Sequence, residues 1–182
     1  MAALARKGTR ENGDQRTGRP PQAEPASAVA RALAHYRRVG LDTICFIYHL
    51  SKHPQYSPVT EELFELIEQG RLAAVTSSLV LVEVLARPQQ LGNHAAVESY
   101  RVALATFPHL ELRRSDIAIT EQAADLRARY HLSTPEAIQL ATALVDGAEV
   151  FIGNSPALRA VREIEVLLLE DLAASTTSGG RA

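Results

Sequence analysis

The chain has 182 residues, a formal net charge of −2 and a hydrophobic fraction of 46%, with four Phe, five Tyr and no Trp, which fits one aliphatic domain with appendages, large enough to bury a substantial core. Its single cysteine, Cys45, excludes an intramolecular disulfide and a thiolate metal cluster. No apolar run reaches membrane-span length, and the N-terminus lacks the apolar segment of a secretory signal, so a soluble protein of the reducing cytoplasm is expected.

Residues 1–40 hold eight Lys and Arg against three Asp and Glu, whereas the remainder holds eleven against eighteen. An acidic folded part excludes nucleic-acid binding by bulk electrostatics alone. Residues 1–25, with Gly8, Gly13, Gly18, Pro20, Pro21 and Pro25, read as disordered. Residues 1–38 are therefore expected to form a basic, largely disordered extension carrying a short, solvated helix within 27–38 that Ser27 caps. Beyond Gly40 the chain turns apolar. A strand is expected over 39–42, a helix over 43–50, a loop marked by Pro54 and Pro58, and a helix over 60–70 with Leu63, Phe64, Leu66 and Ile67 at helical spacing. A strand over 72–76 leads to Ser77 or Ser78, either of which suits the cap of a helix over 79–86 that Pro88 ends. An amphipathic helix over 94–107, a strand over 110–113 and a helix from Asp116 to Tyr130 follow. Thr134 and Pro135 then open an apolar helix that closes near Gly147. A strand over 149–152, the turn Gly153-Asn154-Ser155-Pro156, a short helix over 157–162 and a strand over 166–169 complete the domain, and 173–182 read as a flexible tail. Short apolar strands alternating with helices imply an α/β fold, a parallel sheet covered on both faces, with function beyond the carboxyl ends of the strands.

Three acids stand out in this order of elements. Glu83 sits among Leu79, Val80, Leu81, Val82, Val84 and Leu85, apolar on every face, so burial is expected and its charge calls for a partner or a metal; Arg87, four residues on, is the local partner. Asp42 lies at the end of the first strand, where a helix N-cap is its local role. Glu136 lies in the first turn of a helix, where complementing the dipole is its local role. Together they form an oxygen-only set suited to Mg²⁺ or Mn²⁺, ions that bind phosphate and activate water. Thr43 and Ser77 or Ser78 suit either capping or orientation of the carboxylates. Arg159 and Arg162 follow the last turn and can reach RNA phosphates; Lys52, Arg127 and Arg129 are further candidates. His49 and His53 share a helix face without a third ligand, and Cys45 lacks a paired His, so zinc and nucleophile chemistry are disfavoured.

Four ordered blocks carry a resemblance: Leu41-Asp42-Thr43; Thr76-Ser77-Ser78-Leu79 leading to Glu83-Val84-Leu85; Thr134-Pro135-Glu136-Ala137-Ile138-Gln139-Leu140-Ala141; and Phe151-Ile152-Gly153-Asn154-Ser155. Over 39–172 the chain resembles a PIN domain, in particular the VapC-type toxins of bacterial toxin–antitoxin pairs. The resemblance implies a three-layer α/β/α fold with a central five-stranded parallel sheet, a Mg²⁺- or Mn²⁺-dependent endoribonuclease acting on RNA, a homodimer and an antitoxin partner. By position Asp42, Glu83 and Glu136 are its catalytic and metal-binding acids, with Thr43, Ser77, Asn154 and Ser155 supporting them. Two departures matter. Glu136 stands where the family usually has Asp, and Gly153-Asn154-Ser155 replaces Thr-Asn-Asp, so the fourth acid is a serine and weakened hydrolysis is expected. The alternatives are an impaired PIN-like module that binds RNA or an antitoxin, and a phosphatase-type α/β protein sharing only the carboxylate geometry.

Overall fold

The computed structural model describes residues 27–178. The expected disorder of residues 1–26 and the end of the expected tail, 179–182, lie outside the described residues. In chain order the elements are α1 (Ala28–Leu33), β1 (Arg38–Leu41), α2 (Thr43–Leu50), α3 (Ser57–Glu68), β2 (Ala73–Ser77), α4 (Val80–Gln90), α5 (His94–Thr106), β3 (Leu110–Arg113), α6 (Ile117–Tyr130), α7 (Thr134–Val145), β4 (Val150–Gly153), a 3₁₀ turn (Pro156–Ala160), β5 (Glu165–Leu168) and α8 (Leu169–Ser178).

The five strands form one sheet in the order β3-β2-β1-β4-β5, and every neighbouring pair is parallel. Parallel neighbours need crossovers, and the helices that supply them cover both faces. Side chains alternate accordingly: Val150 and Ile152 enter the core beneath α2, α3 and α4, whereas Phe151 between them joins the core beneath α6 and α7. The three-layer α/β/α architecture expected from the sequence is present. The order reverses between β1 and β4, so the crevice beyond their carboxyl ends is the switch point. Gly40 lets α7 approach that crevice closely, since a Cβ there would stand 2.3 Å from the Ala143 Cβ.

Several local expectations change. The helix within 27–38 was expected to be solvated, yet α1 buries Val29, Ala30 and Leu33 in the core and packs against α3 and α8. The tail expected from residue 173 continues α8 to Ser178, with Leu169, Leu172 and Ala173 buried. Pro88 does not end α4, which runs to Gln90; near a C-terminus proline removes one hydrogen bond, and burial of its ring offsets that loss. No helix among the described residues is long and apolar enough to cross a membrane.

Candidate active site

The chain leaves the sheet at Leu41 and turns directly into α2, which puts Asp42 at the helix N-cap. Its backbone is extended there, with φ −73° and ψ 151°, yet its carboxylate makes no side-chain cap bond to the first turn. The local capping role is therefore not what its side chain serves. Asp42 is only 8% exposed, and its backbone N–H donates to the Ile152 carbonyl at 2.9 Å, which ties it to β4. Gly153 stands so close that a Cβ there would lie 3.2 Å from Asp42 Oδ2. Burial pushes the Asp42 carboxyl up to about 7, the Glu136 and Glu83 charges push it the same way, and the Thr43 N–H opposes them.

Glu83 is carried by α4. The expectation that this apolar helix is buried all round fails: Val80, Val84 and Pro88 form one buried stripe, while Val82 is 65% exposed. Four-residue spacing sets which face is covered, and apolar composition does not override it. Glu83 lies beside that stripe, half-buried, and its Oε2 is buried without a hydrogen-bond partner. Arg87 makes no ion pair with it among the described residues. A buried carboxylate oxygen left unpaired is costly and points to a cation or water in the cleft it faces.

Glu136 is placed differently from the other two. The N-cap of α7 is Ser133, one residue before the expected Thr134, and Ser133 and Glu136 form a capping box. The Ser133 N–H donates to Glu136 Oε2 at 3.0 Å and the Ser133 hydroxyl at 2.7 Å. Desolvation would raise the Glu136 pKa, but the Ser133 hydroxyl, the Ser155 hydroxyl and the Ser133 N–H outweigh it and hold the carboxyl below its ordinary value. The serine at the expected fourth acidic position lines the same cleft as the third acid.

Asp42, Glu83, Glu136, Thr43, Asn154 and Ser155 line a single cleft of about 310 Å³, walled on its apolar side by Ile44, Ile47, Tyr48 and Pro135, with no Lys or Arg in its lining. Among the described residues no three His, Cys, Asp or Glu side chains converge closely enough to hold a metal ion as they stand. The all-oxygen donor set, the orphaned Glu83 oxygen and the absence of a basic lining residue fit a hard divalent cation held by Asp42 and Glu83. Asn154 Oδ1 accepts the Glu170 N–H at 2.9 Å, tying the end of β4 to α8. Ser77 is outside the cleft lining: its hydroxyl accepts the Leu79 N–H at 3.3 Å and lies 3.3 Å from the Ser115 hydroxyl. Ser78 is neither the N-cap of α4 nor a cleft residue.

One buried polar residue escaped notice in the sequence. Gln139, 1% exposed, joins the end of β2 to the start of α2 from α7: its Oε1 accepts the Ser77 N–H at 2.7 Å and lies 2.9 Å from Thr76 Oγ1, and its Nε2 donates to Thr43 Oγ1 at 2.9 Å. An amide inside the run Ala137–Leu144 was the available signal, by the same reasoning that singled out Glu83.

The basic and histidine candidates lie apart from the acids. Arg159 is paired with Glu170 and Asp171 at 2.7 and 2.9 Å, Lys52 with Glu61 at 2.9 Å, and Arg129 with Asp125 and Glu163. Arg127 lines a separate cleft with His131. Arg162 is exposed, and its guanidinium makes no ion pair among the described residues. His49 packs on Phe64, whereas His53 packs on Tyr48 and Tyr56, so the two do not converge. Cys45 is buried and donates to the Ile152 carbonyl.

The family model of the PIN domain matches residues 39–163, which leaves α1 and α8 outside the matched stretch. Among solved structures, the chain is similar to one in a toxin–antitoxin complex from Klebsiella pneumoniae, with 21% identity, a TM-score of 0.55, and coverage of 72% of this chain and 97% of that one. It is also similar to a chain in the VapBC2 complex of Rickettsia felis bound to a fragment of promoter DNA, with 16% identity, a TM-score of 0.55, and coverage of 72% and 98%. At these identities the likeness is one of fold. No curated protein matches the chain.

Proposed function

The chain belongs to the PIN domain family, whose members are generally nucleases that use divalent metal ions, and on that premise we propose that it is a Mg²⁺- or Mn²⁺-dependent endoribonuclease of the toxin kind. The observation that carries this reading is the cleft at the β1/β4 switch point, which Asp42, Glu83 and Glu136 line without a basic residue. Asp42 and Glu83 would hold the ion, with Glu136 joining them if it leaves Ser133. When bound, the ion would neutralise phosphate charge and activate the attacking water. Asn154 anchors the wall of the cleft, and Ser133 restrains Glu136. Exposed Arg162 is the remaining basic candidate for an RNA phosphate, since Arg159 is already paired with two acids. The toxin role implies a cytoplasmic protein that dimerises and is restrained by an antitoxin. The fold likeness to chains of two toxin–antitoxin complexes supports that assignment.

A second reading follows from one specific feature. The capping box occupies Glu136 and a serine, Ser155, stands where a fourth acid was expected, so the same fold suits a module that binds RNA or an antitoxin with impaired hydrolysis. Incubation of the purified chain with single-stranded and looped RNA in Mn²⁺, with EDTA and Asp42→Asn as controls, separates the two. Cleavage by wild type that both controls abolish supports the enzyme. Intact RNA with wild type, together with cleavage by Ser155→Asp, establishes the impaired module.

A further inference from the structure

The geometry points to Gln139 as a positioning residue that holds the Thr43 hydroxyl as a hydrogen-bond donor into the acidic cleft; this rests on the nuclease reading for its consequence but not for its structure. The last residue pair between β1 and β2 is Gly40 with Val75. Beyond it β1 turns away into α2 while β2 continues to Ser77, so the backbone groups of Leu41, Thr76 and Ser77 open toward α7. Gln139 fills that opening. Buried backbone groups need partners: the amide oxygen supplies one for the Ser77 N–H, and the Thr76 hydroxyl, which also meets that oxygen, supplies one for the Leu41 carbonyl.

The orientation of the amide follows from its neighbours. The Ser77 N–H can only donate, so the Gln139 atom it meets at 2.7 Å is the oxygen. Thr76 Oγ1, also 2.9 Å from the Leu41 carbonyl, lies on that same side. The Gln139 NH₂ must then face Thr43, and it donates to Thr43 Oγ1 at 2.9 Å. A hydroxyl oxygen engaged as an acceptor has its own proton left to give. That proton has no acceptor among the described residues, and Thr43 is 3% exposed and lines the cleft beside Asp42. The amide therefore directs a neutral donor at the place where a substrate oxygen would enter, beside the carboxyl groups that line the cleft. Amide and hydroxyl act as one unit: without Gln139 the Ser77 N–H loses its acceptor, and the Thr43 hydroxyl, no longer held as an acceptor, is free to rotate away from the cleft.

Two measurements test this. In isotopically labelled wild type without metal or RNA, proton–proton contacts in the NMR spectrum should place the Gln139 side-chain NH₂ against the Thr43 side chain, and Thr43→Val should move the NH₂ resonances upfield. Contacts from the NH₂ to the Ser77 N–H instead would mean the amide is reversed and would overturn the inference, whatever the protein does to RNA. Cleavage in Mn²⁺ then reads the consequence. Thr43→Val and Gln139→Met should each slow single-turnover cleavage by about 10- to 100-fold, smaller than or comparable to the loss of a preorganised donor to developing charge. The double variant should be no slower than either single, and Thr43→Ser should recover the rate. Losses that multiply in the double variant, in proteins that still melt cooperatively, would show Gln139 acting through packing alone. If wild type itself leaves RNA intact, the nuclease reading fails, and the NMR result alone decides the role of Gln139.

Discussion

Asp42→Asn is expected to destroy activity and, without divalent ions, to stabilise the protein. Asp42 is buried beside two other acids, and its carboxyl titrates near 7 in the fold against an ordinary value of 3.8. Between those values the unfolded chain has released its proton while the folded chain keeps it. Stability from this group therefore falls as pH rises from about 4 to about 7 and is level above that. The full difference corresponds to about 4 kcal/mol against the ionised fold, which for a protein of this size is a Tm effect on the order of 10 °C. Asparagine has the same shape without the charge. In EDTA at pH 8 the variant should melt above wild type by up to that amount, and the gap should close as pH falls through about 4, below which Asp42 is protonated in both states. Mn²⁺ at pH 8 should narrow the gap by stabilising wild type alone. Calorimetry across pH reads all three arms. A variant less stable than wild type at pH 8 in EDTA, or a gap independent of pH, would refute the account of a carboxylate ionised at a cost.

The remaining predictions address the other structural assignments. Leu33→Ala should destabilise by about 2–5 kcal/mol, because Leu33 is 2% exposed in the core; a change within a few tenths on denaturant melting would return α1 to the solvated extension first expected. Ser133→Ala should cost about 1 kcal/mol in helix capping while freeing Glu136, so calorimetric titration should show tighter Mn²⁺ binding, and weaker binding would mean that Ser133 holds the carboxylate in place for the ion. Gly40→Ala forces a Cβ to 2.3 Å from Ala143, and the resulting overpacking should cost about 1–3 kcal/mol and displace α7, with wild-type stability as the contrary outcome.

Much of the acidic cleft was legible because charge is conspicuous against an apolar pattern. Asp42 ends a strand, Glu83 interrupts an aliphatic helix and Glu136 opens another. What escaped was the state of each carboxylate. Glu83 was expected to be buried with its helix, but half of α4 faces outward, and only one of its two oxygens is enclosed. Glu136 was assigned to Thr134 as its cap, whereas Ser133 both caps the helix and binds the acid; a shift of one residue at a helix start exchanges a free carboxylate for an engaged one. Arg159 appeared available to RNA because its partners, Glu170 and Asp171, come from a helix that was read as strand end and tail.

By itself the sequence determined the alternation of short apolar strands with helices, and through it the parallel sheet and the cleft at the carboxyl end of β1. Periodicity and punctuation are local properties, and a parallel sheet follows from them because its crossovers admit few solutions. Only the tertiary structure decided which groups meet: that α1 and α8 close the core together, that Ser155 and Glu136 share one cleft, and that Gln139 joins the end of β2 to Thr43. These contacts join residues far apart in the chain. The Gln139 contacts depend on how α7 seats against Gly40, a distance of closest approach that no local pattern encodes.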